Sequence, residues 1–395
     1  MKQQIRSLAD AVFPFVCELY KHLHAHPELS FEEAQTALFI QQELTKMCIP
    51  FKKDIGTHGI VGVLRCANPG KKCLALRADM DALPINEETN LPYKSTVANC
   101  MHACGHDAHV ATLLGVVKVL SQVKDKLEGT VLFVFQPGEE RHPGGARLML
   151  QDGVFDEYKP AVILAQHASV DYPVGKVAFR SGTIMASADE VHLTVKGKGG
   201  HGALPHLFND TVLCASQLLV SLQQIAARLH NPFQPVVLSF GKFIAAGSTN
   251  VIPDEVSLSG TLRTLDEACR KQCKTAIDTI AKQTASAYGC VCEVDISDGY
   301  PSVTNDPEVT ADARRYAADF LGDSLIDELE VRMTGEDFAF FSQQFPATFY
   351  RFGVKGKSNA QCGNLHTATF EIDLDAFKTS VPVMAYLTVQ FLSDK

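Results

Sequence analysis

This 395-residue chain lacks several things, and each absence removes a class of function. No run of lysine and arginine occurs, and the formal net charge is −9 at pH 7, so nucleic acid is not expected as a partner. No uninterrupted apolar stretch is long enough to cross a bilayer, and no membrane partner is expected. The opening Met1-Lys-Gln-Gln-Ile-Arg-Ser7 has neither the apolar core nor the small-residue cleavage site of a secretory leader. The twelve cysteines are scattered without paired spacing, Cys269/Cys273 and Cys290/Cys292 being among the nearest pairs. In a chain of this size they read as reduced thiols, and the expected localisation is cytoplasmic. Internal repeats, low-complexity tracts and linker runs are also missing.

What remains is an ordinary globular composition, 46% apolar with mixed charge, in a chain too long for one small core. Two domains are expected. Ser30 and Glu33 have the spacing of a capping box, which predicts a helix over Phe31 to Met47. Strands are expected at Ile60–Leu64, Cys73–Arg77, Val131–Phe135 and Ala161–Ala165, and helices at Val110–Leu120 and Gly145–Gln151. That alternation predicts an α/β fold, with a mixed central sheet flanked by helices. Three of these strands run into chemistry: Asp79 and Asp81, then Glu139 and Glu140, then His167. Ligands of open α/β sheets gather beyond the carboxyl ends of strands, so these groups are expected at one edge.

Around Ser181 the texture changes. Asp189–Val195 alternates, as a strand with one wet face should. Helix 210–229, strands 236–240 and 256–263, helix 266–285 and strand 291–296 complete a β-α-β-β-α-β order, that of a ferredoxin-like α+β unit. From about Asp298 the chain returns to segments like the first part: helix 307–321, helix 337–343, strand 348–352 and a helix from Leu374. The boundaries expected are 1–182 with 297–395 for one domain and 183–296 for an insert.

The stretch Met101-His-Ala-Cys-Gly-His-Asp-Ala-His109 places Cys104 and His106 around a glycine, just before a helix. Gln136-Pro-Gly-Glu-Glu140 follows an apolar strand. A thiolate, an imidazole and two adjacent carboxylates are the set a divalent metal needs to activate water. Adjacent residues point to different sides, so one glutamate can bind metal while its neighbour faces the water as a base. His102 and His109 read as packing or supporting histidines. From spacing alone His167 is equally a ligand or a cap, and His366 is weaker. Asp79 is either a carboxylate orienting a ligand imidazole or a strand-end cap.

Seven motifs in order resemble the N-acyl-amino-acid amidohydrolases, which include hippurate hydrolases and the hydrolases of indoleacetyl-amino-acid conjugates. They are Arg77-Ala-Asp-Met-Asp-Ala-Leu-Pro84, His102-Ala-Cys-Gly-His-Asp107, Gln136-Pro-Gly-Glu-Glu140, Gly199-Gly-His-Gly-Ala-Leu-Pro-His206, Asn250-Val-Ile-Pro-Asp254, Gly260-Thr-Leu-Arg263 and Gly335-Glu-Asp-Phe338. The resemblance covers nearly the whole chain. It implies membership of a broader group of dinuclear metallopeptidases and aminoacylases, with a catalytic α/β domain interrupted by a smaller lid that pairs the chain as a homodimer. It implies that Cys104, His106, Glu140, His167 and His366 bind two divalent metal ions, Cys104 as a bridging thiolate, and that Glu139 is the general base. Zinc suits the donors best, while manganese, cobalt or nickel also fit such a site. His201 would help polarise the scissile carbonyl, and Asn250 and Arg263 would contact the substrate. The implied reaction is hydrolysis of an N-acyl-amino acid to a carboxylate and a free amino acid. A peptidase acting on free peptides and a non-catalytic metal-bound binding protein are the rival readings.

Overall fold

The computed structural model describes residues 1–393, and the chain divides into two compact units. The first takes Met1–Gly182, Thr304–Glu330 and the chain from Asp337 onward; the second takes Thr183–Val303 and Val331–Glu336. The expected segment 183–296 lies inside the second unit. Residues 331–336 join it because the Ala186 N–H donates to the carbonyls of Arg332 and Thr334, each at 3.1 Å.

The first unit is built on a mixed eight-stranded sheet. Its strand order is Phe51–Ile55, Gly59–Arg65, Thr130–Gln136, Cys73–Asp79, Val162–Pro173, Ala347–Lys355, Val177–Phe179 and Ile326–Glu328. The four strands from Thr130–Gln136 to Ala347–Lys355 run parallel, as an α/β sheet covered by helices should. Thr130–Gln136 is buried at every position, so its Val, Leu and Phe side chains each contribute roughly 1.5–3 kcal/mol of burial. Helix His106–Ser121 is apolar all round, and only Lys118 and Ser121 escape burial. It packs between Lys2–Ala25 and Phe377–Ser393. Gly115 permits this approach, since a Cβ there would stand 2.6 Å from Val16 Cγ2 and 3.2 Å from Val381 Cγ2.

Several local expectations change. The predicted capping box does not form: the helix runs Ala34–Lys46, Phe31 has φ 68°, and neither Ser30 nor Glu33 caps it. Glu28 does that work, accepting from the N–H groups of Gln35 and Thr36 at 3.1 and 2.7 Å. Ser30 and Glu33 are drawn inward instead, to Asp81 Oδ2 and the Gly138 N–H, both at 2.7 Å. The strand expected to end at Ala165 continues to Pro173, so His167 sits within a strand rather than beyond it. The helix expected at 337–343 is only Ala339–Ser342, and the long helix Lys2–Ala25 was not anticipated.

The second unit carries a four-stranded antiparallel sheet in the order Val236–Ala245, Glu255–Thr264, Asp189–Lys196, Val291–Ile296. With helices Thr211–Arg228 and Glu267–Ala287 between strands, this is the β-α-β-β-α-β arrangement. Val191, Leu193 and Val195 alternate inward along Asp189–Lys196 and meet Leu218, Leu222 and Ile277 of the helices. Asp210 and Asp266 cap the two helices, accepting from Leu213 N–H at 2.8 Å and Cys269 N–H at 2.7 Å. A buried pair ties helix to sheet: Arg270 Nε and Nη2 each lie 2.7 Å from Asp189 oxygens.

Candidate metal centre

Parallel pairing brings the first two motifs together. Asp79 pairs with Gln136 in register, so the turns carrying Asp81 and Glu140 leave the same sheet edge, and the Glu140 N–H donates to Asp81 Oδ2 at 2.9 Å. Ala165 pairs with Arg77, which sets His167, two residues on, level with Asp79. Gly105, at φ 86°, takes the left-handed turn that opens helix His106–Ser121. That turn puts Cys104 and His106 on either side of it. Gly138, at φ 56°, does the same for the glutamates; a Cβ there would strike the Phe31 ring at 2.2 Å.

The donor atoms converge. Cys104 Sγ lies 3.4 Å from His167 Nε2 and 3.3 Å from His366 Nε2. Glu140 Oε1 stands 3.0 Å from His366 Nε2 and 3.9 Å from His106 Nε2. Several groups result with ligand atoms within 4.8 Å of one another, among them Cys104–His106–His167, Cys104–Glu140–His366 and His106–Glu139–Glu140. Cys104 is shared by the first two, the place a bridging ligand would occupy. Glu139 is 6% exposed, and its Oε1 accepts from the Asp337 N–H at 3.4 Å.

Hydrogen bonds set the tautomers so that the right nitrogens face inward. His106 Nδ1–H donates to the Asp81 carbonyl at 2.9 Å and lies 3.1 Å from Asp81 Oδ1, which leaves Nε2 for a metal. His167 Nδ1–H donates to the Ala168 carbonyl at 2.7 Å, leaving Nε2 toward Cys104. His109 Nε2 accepts from the Ala168 N–H at 2.8 Å, so its Nδ1–H donates to Asp79 Oδ1 at 2.5 Å. Asp79 therefore supports His109 and, at 2.6 Å, Arg77 Nη1; its nearest approach to His106 Nε2 is 3.8 Å. The carboxylate that orients His106 is Asp81. The signal was in the sequence, since Asp81 shares Asp79's motif, but two residues along an extended chain only the fold decides which one faces the imidazole.

The electrostatics ask for a cation. Burial would push His106 down, but Asp79 and Cys104 outweigh it and its pKa rises well above the ordinary value. Hydrogen bonds to Cys104 and Glu140 raise His366 to about 10. Burial, reinforced by Glu140, raises the Cys104 thiol. For Asp79, burial acts upward, yet Arg77, His106 and His109 hold its carboxyl well below the usual range. His106 Nε2 is buried without a hydrogen-bond partner. An orphaned atom of metal-ligating type, in a field that favours positive charge, fits a divalent ion better than it fits a proton. A cavity of about 220 Å³, lined by Leu29, Ser30, Ala82, Leu83 and Pro84, adjoins Glu140.

The remaining sequence-identified residues lie in the second unit. His201 and Asn250 come together there: His201 pairs with Val251, and the Gly202 N–H donates to the Asn250 carbonyl at 2.8 Å. Both are exposed. Arg263 is half-buried, and its Nη1 donates to Thr261 Oγ1 and to the Leu262 carbonyl, the latter at 3.1 Å. His102 is buried with both ring nitrogens unpartnered, and burial lowers its pKa to about 4.

Known proteins match along most of this chain. The model of peptidase family M20/M25/M40 matches residues 75–390. Thermostable carboxypeptidase 1 of Saccharolobus solfataricus is 35% identical, covering 99% of this chain and 98% of its own. IAA-amino acid hydrolase ILR1-like 5 of Arabidopsis thaliana is 34% identical, covering 97% and 88%. A solved Bacillus subtilis structure, described as a dinuclear metal-binding peptidase of the M20 family, superposes with a TM-score of 0.84 at 32% identity, covering 97% and 99%.

Proposed function

From the premise that this chain belongs to peptidase family M20/M25/M40, and so is a metal-dependent amide hydrolase that binds two divalent ions, we propose that its substrates are N-acyl-amino acids. Cys104, His106, Glu140, His167 and His366 would hold the ions in this reading. The observation that carries it is the sharing of Cys104 by two donor triads, with Glu139 beside both. Once bound, the two ions supply Lewis acidity and lower the pKa of water.

The chain's own residues do the rest. Glu139 takes a proton from the attacking water and returns it to the leaving amine, so the amide and water become a carboxylic acid and a free amino group. Its neighbour Glu140 is a ligand, which keeps base and ligand on opposite sides of one short turn. Asp81 and the Ala168 carbonyl fix the His106 and His167 rings. His201 polarises the scissile carbonyl, and Asn250 and Arg263 meet the amino-acid part of the substrate. Zinc is the ion the thiolate and imidazoles suit best. The chain forms a homodimer through its inserted unit, where edge strand Val236–Ala245 leaves Phe243 and Ile244 39% and 45% exposed.

The test is amino-acid release from N-acetyl-, N-benzoyl- and indoleacetyl-amino acids, set against unblocked dipeptides. Preference for the acylated set is expected. Preference for dipeptides would overturn the substrate assignment and favour a peptidase, the reading to which the carboxypeptidase relative lends weight.

A further inference from the structure

The second unit holds a cluster of ligating side chains that the hydrolytic chemistry does not use. Cys269 and Cys273 stand four residues apart on helix Glu267–Ala287, so their side chains leave the same face. They are 2% and 0% exposed. His230, two residues past the end of helix Thr211–Arg228, brings its ring to them. Its Nδ1 lies 3.5 Å from Cys269 Sγ and its Nε2 3.0 Å from Cys273 Sγ. The three residues offer ligand atoms within 4.8 Å of one another. Zinc–sulfur and zinc–nitrogen bonds of about 2.3 and 2.0–2.1 Å put one ring nitrogen roughly 3.5 Å from each sulfur, so a turn of the His230 ring that brings a single nitrogen to face both thiols completes the set.

We propose that Cys269, Cys273 and His230 form a further metal site, one that takes a soft divalent ion such as zinc. Two thiolates and an imidazole select zinc over manganese or magnesium. Burial raises both thiols, and at Cys269, in the first turn of its helix, the backbone dipole opposes that rise, so the ion itself must displace the protons to bind. Three protein ligands leave one position for water, which can enter past the half-buried His230. The nearby Asp266 carboxylate is engaged by the Cys269 N–H as the helix cap, and the role assigned to the ion is structural. It fastens the segment after one helix to the opening turns of the other. Without it, this cluster is two core thiols packed against a histidine.

The test compares zinc content of full-length protein, stripped, reloaded with excess zinc and desalted, for wild type, Cys269→Ala/Cys273→Ala and His230→Ala. Each variant is expected to hold one zinc per chain fewer than wild type, with hydrolytic turnover unchanged. His230 is not in the core, so its variant serves even where the double variant fails to fold. As a second measurement, Cys104→Ala loaded with cobalt should retain a sulfur-to-cobalt charge-transfer band that His230→Ala diminishes. Equal zinc in all three proteins, or no such band in Cys104→Ala, would overturn the proposal.

Discussion

Among the described residues, two clusters built from cysteine and histidine differ in what surrounds those donors. Around Cys104 the His106 and His167 rings are each held by a second group, two glutamates stand adjacent, and the buried His106 Nε2 lacks a hydrogen-bond partner. At Cys273 the three grouped donors include no carboxylate, and the thiols belong to an apolar core with Cys214, Leu218 and Ile277. Donors alone make a place for an ion. It is the supporting carboxylates and the spare base that turn such a place into a site for chemistry.

The comparison can be broken in four ways. The largest effect is expected from Glu139→Gln, which removes the base and leaves the ligands: kcat should fall by about 10²–10⁴ with metal content unchanged. Near-native turnover in that variant would dismiss Glu139 from the reaction. Next, Asp81→Asn weakens the hold on His106 Nδ1, and metal affinity or activity should fall by about 10–100-fold. Zinc titration with a competing chelator reads the loss, and no change would return the supporting role to Asp79.

A third test concerns stability. His24 bridges Asp107 and Glu87 at 2.6 and 3.2 Å beneath the helix that begins at His106. Burial alone would lower its pKa, but the hydrogen bonds to those two carboxylates raise it from 6.5 to about 9. A raised histidine stabilises the fold fully below its unfolded value near 6.5, and the contribution fades as pH climbs through about 9. On the order of 3 kcal/mol should disappear over that interval. Denaturant melts at pH 6 and pH 10 should show the loss in wild type but not in His24→Gln, which is already weaker at pH 6. The smallest effect is expected at His230: its replacement by alanine should leave kcat untouched, and a fall in kcat would tie the second cluster to catalysis.

Much of this was legible in the sequence because single residues carried it. The strand at 130–136 was plain from its unbroken apolar run, and Gly105 between Cys104 and His106 marked the turn. The capping box at Ser30 and Glu33 misled because both side chains have stronger claims elsewhere: Ser30 donates to the buried Asp81, and Glu33 accepts from the Gly138 N–H, which would otherwise go unsatisfied. Asp79 and Asp81 could not be ranked from spacing, since tertiary contact alone assigns one to His109 and Arg77 and the other to His106. The pairing of His230 with two cysteines about 40 residues away left no local mark at all.

The account rests above all on a metal-dependent reaction centred on Cys104, and removing the metal tests that most directly. Metal-free protein is assayed on an N-acyl-amino acid before and after stepwise addition of zinc, beside Cys104→Ala treated identically. Wild type should be silent when stripped and regain turnover as ions are added, while Cys104→Ala should not recover. Undiminished hydrolysis by the stripped wild type, or full recovery by Cys104→Ala, would contradict it.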